Sequence, residues 1–397
     1  MTICGVICEL NPFHNGHSYL FEQARRITNA DYVIAVMSGD FVQRGIPAIC
    51  DKYSRARMAL LGGADLVVEL PMIFATASAD YFAQGSVSVL EGCGCVDYIC
   101  FGSENGDINA LYSVARRQLL DDEAVNDGMK KGHSYAKTRS ISDNIAIDSN
   151  DMLATCYLKS LERLNSTIKP VVVKRKGGAY LDVNTSSGSA TAIRKQIYGG
   201  KSTEGMMPSY ASRCMYDVQY KYFPIQLNDF SIQLYSVIDS IIKREKRGLE
   251  SLTEYMDVSA NISGRIRSNI ADYTSYKDFV EKIHSKEYTK SRIMRALLHI
   301  MLDVRKDMYS KNISECNSSY IRVLGFRRKS TGLLGIIKEN AIIPVISKAK
   351  DAGGILDDDA MSVFEADIDA ANMYEQACAF KFSFNPVHDY SKEIVIV

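Results

Sequence analysis

Between Ile3 and Arg175, short and almost wholly apolar runs alternate with segments of helical periodicity, which restricts the fold more than any other feature of the chain. ICGVIC (Ile3–Cys8), YVIAVM (Tyr32–Met37), DLVVELP (Asp65–Pro71), VDYICFG (Val96–Gly102) and PVVVKR (Pro170–Arg175) read as strands. HSYLFEQARRI (His17–Ile27) between the first two places Leu20, Phe21, Ala24 and Ile27 on one helical face. SRARMALLGG (Ser54–Gly63), ADYFAQGSVSVLEG (Ala79–Gly92) and MLATCYLKSLERL (Met152–Leu164) are further helices. Strands alternating with helices make βαβ units and a parallel sheet, and strands this apolar are buried on both faces. Ligands of such sheets sit at the carboxyl ends of the strands.

The alternation stops near Gly199–Gly200, in the loop YGGKSTEG. FSIQLYSVIDSIIKREK (Phe230–Lys246) and KSRIMRALLHIMLDVRKDM (Lys290–Met308) read as amphipathic helices, with a further helix around Ala366–Ala379 and short strands near Arg322 and Pro344. The fold class expected is therefore α/β: a Rossmann-like domain over residues 1–200, then a mainly α-helical domain over 201–397. A chain of 397 residues accommodates two such units. Lys and Arg number 47, as do Asp and Glu, which excludes a globally basic nucleic-acid coat and leaves only local patches. No apolar run reaches the roughly 18–20 residues of a membrane span. The N-terminal stretch lacks the basic start of a signal peptide, and the ten cysteines are scattered, so reduced thiols in the cytoplasm are expected.

The strongest chemical signal follows the first strand: Asn11-Pro12-Phe13-His14-Asn15-Gly16-His17. A turn here faces the carboxyl edge of the sheet, Gly16 permits close backbone approach, and the next helix offers free N–H groups to an anion. Two imidazoles three residues apart can both address one phosphate, which suits stabilising an α-phosphate under attack. The second signal is Ser189-Ala190-Thr191-Ala192-Ile193-Arg194, after the fifth strand. Alone it is an N-cap cluster; beside the first motif, Ser189, Thr191 and Arg194 become a cradle for β- and γ-phosphates.

These motifs, in this order, resemble the HIGH-type nucleotidyltransferase superfamily. Val6 to His17, then Ser38-Gly39-Asp40-Phe41-Val42-Gln43-Arg44-Gly45 with Pro47-Ala48, are similar to the tRNA(Met) cytidine acetate ligase family. Ala64 to Pro71, Phe101-Gly102-Ser103-Glu104, Arg175-Lys176-Gly177-Gly178-Ala179-Tyr180, Arg322 to Phe326 and Ile343 to Ile346 add to the likeness, which spans the chain. The resemblance implies an enzyme that makes acetyl-adenylate from acetate and ATP, with magnesium, and passes the acetyl group to N4 of the wobble cytidine of elongator tRNA(Met). It places ATP along Ile7, Cys8, Glu9, Asn11, Pro12, Phe13, His14, Asn15, Gly16, His17 and Leu20, with further contacts from Gly102, Asn150 and Arg175. Two departures stand out. Asn150-Asp151-Met152-Leu153 replaces the family's Asn-Asn-Ile-Leu, and Gly177-Gly178-Ala179-Tyr180 replaces Gly-Ala-Gly-Tyr.

In the loop after the second strand, Arg44 is a candidate for phosphate or acetate and Asp40 for a magnesium or loop-ordering role. Glu9 and Glu104 read as capping or surface carboxylates before bases. Cys4, Cys8, Cys93, Cys95 and Cys100 lack paired zinc-ligand spacing, so no metal site is expected, and His133, His284, His299 and His388 have no partner pattern. Lys169, Lys174 to Lys176, an outer stripe of Arg292, Arg295 and Arg305, and Phe326-Arg327-Arg328-Lys329 are candidate RNA contacts. The N-terminal half alone equally permits a small-molecule adenylyl- or cytidylyltransferase; residues 201–397 exceed what such an enzyme needs. A silent RNA-binding scaffold is the third reading, and the intact His14, His17 and Arg194 speak against it.

Overall fold

In a computed structural model the described residues are 1–130, 148–175, 188–308 and 318–397, with side chains of 121–130 left aside. His133 and the Lys176–Tyr180 match lie outside them. The first half runs β1 (Ile3–Cys8), α1 (Asn15–Thr28), β2 (Tyr32–Ser38), β3 (Phe41–Val42), β4 (Ile46–Pro47), α2 (Lys52–Leu61), β5 (Leu66–Leu70), α3 (Met72–Ala75), α4 (Ala79–Gly92), β6 (Tyr98–Ser103), α5 (Ile108–Lys130), α6 (Ser149–Arg163) and β7 (Lys169–Lys174). There follow α7 (Ala190–Tyr198), α8 (Ser209–Asp217), α9 (Ser231–Glu245), α10 (Ala260–Asn269), α11 (Tyr276–Ile283), α12 (Lys290–Met301), β8 (Ile321–Phe326), α13 (Thr331–Asn340), β9 (Val345–Ile346), α14 (Asp358–Phe382) and β10 (Val395–Ile396).

The sheet order is β10-β8-β5-β2-β1-β6-β7, with β9 pairing the start of β8 and β10 its end. β5, β2, β1, β6 and β7 are mutually parallel, as the alternation dictates. The chain builds outward from β1 through β2 to β5 and then returns to lay β6 on the opposite side, so the switch point lies between β1 and β6. Side chains divide with the period of two that a pleated strand imposes. Ile3, Ile7, Ile34, Val36, Leu66 and Val68 join one core, and Cys4, Val6, Cys8, Val33, Ala35, Met37 and Val67 the other. The nine described cysteines are all free, most of them packed as small apolar groups.

Residues beyond Gly200 supply helices and also return three strands to this sheet. β8 runs antiparallel to β5, which makes the sheet mixed. Pairing there covers the otherwise open backbone edge of an apolar strand. The register sets Glu69 opposite Arg322, and a charge inside each buried strand demands compensation. Lys52 Nζ lies 3.0 Å from both Glu69 carboxylate oxygens and from Asp389 Oδ2. Arg322 spans the same two carboxylates, at 3.2 Å from Glu69 Oε2 and 2.6 Å from Asp389 Oδ2. The Tyr53 hydroxyl donates to Asp389 Oδ1 at 2.8 Å. All four charged groups are buried, so two cations balance two anions away from water. Two neutral bridges add to this seam: Tyr374 donates to the Ala48 carbonyl at 2.9 Å, and His299 sits 3.2 Å from Thr76 Oγ1.

Removing one member leaves an uncompensated buried charge. Arg322→Met is expected to lower the free energy of unfolding by about 3–5 kcal/mol in guanidinium titrations followed by circular dichroism. A loss below about 1 kcal/mol, the scale of an exposed pair, would show that the cluster does not join the two halves.

Candidate functional site

The site is built where β1 ends. Leu10 takes a left-handed backbone (φ +52°) that costs a non-glycine residue about 1–2 kcal/mol, and its fully buried side chain holds it there. The Asn11–Pro12 peptide is cis. Phe13, wholly buried, packs its ring on Phe21, Tyr210 and His17 at centroid distances of 6.0, 5.9 and 5.6 Å. These contacts fix the direction in which α1 leaves the turn.

α1 opens with a capping box made of imidazoles. His14 Nδ1 accepts from the Gly16 N–H at 3.0 Å, and His17 Nδ1 accepts from the His14 N–H at 3.2 Å. The rings stack 3.8 Å apart. A Cβ on Gly16 would stand 2.8 Å from the His14 ring, so here glycine makes room for an imidazole rather than for a ligand. Because each Nδ1 is an acceptor, the neutral ring carries its proton on Nε2. Burial is the main reason that both rings stay neutral: it pushes His14 down to about 3, aided by the charges of Arg175 and Arg194. His17 is held well below its ordinary value by burial, then by His14 and Arg175. Two neutral N–H donors thus lie within the field of nearby guanidiniums, Arg175 for both rings and Arg194 for His14, an arrangement that receives anionic oxygens without moving a proton.

Three separate elements bring the flanking residues in. Arg194, on α7, donates to the backbone carbonyl of Asn11 and, at 3.2 Å, to Thr191 Oγ1. The Ser189 hydroxyl accepts from the Ala192 N–H at 3.2 Å, which is the capping role its sequence suggests when read alone. On the other side of the switch point, Arg175 at the end of β7 lies over Gly102 at the end of β6. A Cβ on Gly102 would stand 3.4 Å from Arg175 Cγ, an ordinary packing distance, so the arginine stem lies directly against this end of β6. Arg175 reaches Asn150 Oδ1 at 3.5 Å and Glu104 at 3.8 Å. Glu104 also binds the Asn150 amide and accepts from the Asp151 N–H at 3.1 Å. Glu104 is thus a capping carboxylate that holds Asn150 and Arg175 in place.

The residues expected at the site do not all converge. Ile7 and Cys8 are buried strand residues, and burial raises the Cys8 thiol to about 12. Leu20 is half-buried on α1. Asn15 turns outward and donates to the Gly205 carbonyl at 2.7 Å. Glu9 accepts from the Gln43 N–H at 2.8 Å and so anchors the β3–β4 hairpin that carries Arg44. Asp40 is buried inside its loop, accepting from the Lys52 N–H at 2.6 Å with Arg55 at 3.7 Å; burial raises it to about 7. Among the described residues no group of three His, Cys, Asp or Glu could hold a metal ion.

Two positioning residues escape a sequence reading. Arg55 is fully buried and donates to the carbonyls of Glu9 at 2.9 Å, Ser38 at 3.0 Å, Cys50 at 3.0 Å and Gly39, tying the ends of β1 and β2 together. Asp151 accepts from the Ser103 hydroxyl and from the N–H groups of Glu104 and Asn105 at 3.0 and 3.2 Å. The aspartate at 151 was the available signal, since it departs from the family pattern. The expected basic stripe on α12 dissolves. Arg295 is buried against Asp257 at 2.8 Å, and Arg305 is shared among Glu250, Glu254 and Asp303. Lys169, Lys174, Arg328 and Lys329 are exposed. No helix among the described residues is long and apolar enough to cross a membrane.

A family model described as HIGH Nucleotidyl Transferase matches residues 1–387. A relative from Thermoanaerobacter sp. (strain X514), named tRNA(Met) cytidine acetate ligase, is 37% identical over 396 residues, covering 95% of this chain and 96% of its own. One of the same name from Clostridium perfringens (strain ATCC 13124) is 37% identical, covering 94% and 95%. Thermotoga maritima TmcAL, solved with alpha-thio ATP, superposes with a TM-score of 0.87 at 30% identity over the whole of both chains; its apo form gives 0.89. The chain belongs to the HIGH nucleotidyl transferase family and, within it, to the tRNA(Met) cytidine acetate ligases.

Proposed function

We propose that this chain joins acetate to ATP and passes the acetyl group to N4 of the wobble cytidine of elongator tRNA(Met). The observation that carries the chemical half is the pair of neutral imidazoles that cap the start of α1 within the field of Arg175 and Arg194. The acceptor is taken from the relatives' names and rests on the likeness over nearly the whole chain.

An acetate oxygen attacks the α-phosphorus of ATP, and the bond to the β-phosphate oxygen breaks. The Nε2–H groups of His14 and His17 donate to the α-phosphate oxygens as negative charge accumulates. Arg175 and Arg194 balance the phosphate charge, with Asn150 and Glu104 keeping Arg175 in place and Ser189 and Thr191 shaping the start of α7. Magnesium arrives with ATP, held by the phosphates, as is usual for this ion. The cytidine amine then attacks the acetyl carbon of the mixed anhydride, loses a proton, and AMP leaves. Reaching that amine requires the base to be splayed from the anticodon loop. Lys174 closes β7, an edge strand, directly before Arg175 and provides cationic surface beside the site for the RNA backbone, while Lys169 lies at the other end of the strand. A tRNA substrate places the reaction in the cytoplasm.

The deciding experiment incubates unmodified elongator tRNA(Met) with protein, Mg·ATP and isotopically labelled acetate, followed by nucleoside mass spectrometry. Labelled N4-acetylcytidine without acetyl-CoA is expected. Its absence from folded, ATP-binding protein would favour a small-molecule nucleotidyltransferase instead.

His17→Ala is expected to reduce acetate-dependent ATP–pyrophosphate exchange by about 100–1,000-fold, the cost of one preorganised donor. His14→Ala should do the same and also lose its cap, about 1 kcal/mol of stability. Exchange retained in both would remove the histidines from the mechanism. His14 is neutral in the fold down to about 3, while the unfolded chain takes up a proton below its ordinary 6.5. Its contribution to stability is therefore complete above pH 6.5 and is lost as the pH falls toward 3. An NMR titration should leave the His14 Cε1 resonance at its neutral position down to pH 5, and a midpoint near pH 6.5 would contradict this. Lys174→Ala should weaken tRNA binding and flatten its salt dependence without altering exchange.

A further inference from the structure

Asn11 carries a buried donor with nothing to bind. The residue is 3% exposed. Its Oδ1 accepts from the Ile49 N–H at 2.8 Å, which fixes which end of the amide is which. The opposite end, Nδ2, is buried and has no hydrogen-bond partner. Leaving such a donor unpaired costs about 1–3 kcal/mol, and native structures keep few of them. Asn11 also lies in the turn that leads to His14, and its own carbonyl is taken by Arg194. The orphan is therefore carried by a residue of the site's own turn, three positions before His14, whose backbone is held by one of the two guanidiniums. At the end of the adjacent strand the fully buried Ser38 hydroxyl is a second polar group without a partner. Arg55 ties these two strand ends together by donating to the Glu9 and Ser38 carbonyls.

We propose that Asn11 Nδ2 donates to a carboxylate oxygen of the acyl substrate and holds it for attack on the α-phosphorus; this rests on the acetate-ligase reading above. Two features favour a small carboxylate over a further phosphate contact. In the mechanism proposed above the α-phosphate is given two N–H donors and two guanidiniums, and a donor this deeply buried admits only a small ligand. A neutral amide also orients a carboxylate without stabilising it so strongly that it loses nucleophilicity, as an ion pair would. Asn11 is thereby a residue that positions the nucleophile and selects for small acids.

The test measures acetate-dependent ATP–pyrophosphate exchange on the full chain for Asn11→Asp and Asn11→Ala. Asn11→Asp keeps the acceptor for Ile49 and replaces the donor by a second oxygen; Asn11→Ala removes both without adding charge. The KM for acetate is expected to rise at least about tenfold in both, the equivalent of about 1.4 kcal/mol, and by several-fold more than the KM for ATP. An unchanged acetate KM in a folded variant overturns the assignment, as does a rise in the ATP KM instead. Loss of the native melting transition in both variants would make Asn11 structural and overturn it too. If the wild-type chain itself shows no acetate-dependent exchange, the acetate reading fails first and takes this proposal with it.

Discussion

The structure depends on burying four charges so that none is left without a partner. Glu69 sits in an apolar strand of the first half and Arg322 in an apolar strand of the second, and neither is tolerable alone. The antiparallel register of β5 and β8 sets them opposite each other, and Lys52 and Asp389 complete the neutral set. Lys52 opens α2, and its backbone N–H is bound by Asp40 of the preceding loop. The ionic cluster therefore reaches the loop at the carboxyl end of β2 through one residue. A hydrophobic contact would hold the halves together at many registers; charges of this kind hold at one.

At the other end of that loop the same logic serves the site. Arg55 ties the ends of β1 and β2 by their carbonyls, and the turn after β1 begins from that fixed point. The first turn of α1 then spends two imidazole nitrogens on its own capping, which leaves the other two nitrogens as donors. The geometry of the anion site is thus a by-product of starting a helix. Burial keeps the rings uncharged, so the two guanidiniums supply the positive charge and the imidazoles supply direction.

Much of this was legible in the sequence because it follows from period and position. The five sheet strands from Ile3 to Lys174 appear where apolar alternation placed them, the short β3–β4 hairpin showing no such alternation, and the motif lies at the carboxyl edge as βαβ order requires. Return of the C-terminal strands to the sheet was not legible, since strand order between distant segments leaves no local trace. A charge within each of two apolar runs, Glu69 in LVVEL and Arg322 in IRVLGF, was the clue that they needed each other. Arg55 escaped for a related reason: an arginine on an amphipathic helix looks solvated until its carbonyl partners are known. The stripe of Arg292, Arg295 and Arg305 failed in the opposite way, because the carboxylates that absorb two of them come from other segments.

The antiparallel pairing of β5 with β8 also bears on the order of events during synthesis. Strands β1 to β7 can associate as soon as they are made, but β5 must wait for a partner encoded far downstream. Until then the growing chain carries an open apolar edge, with Lys52 and Glu69 paired only to each other. Non-local pairing of this kind closes slowly and exposes intermediates to aggregation. The half that carries the anion site is thus completed only when the segment from β8 through Asp389 to β10 has left the ribosome.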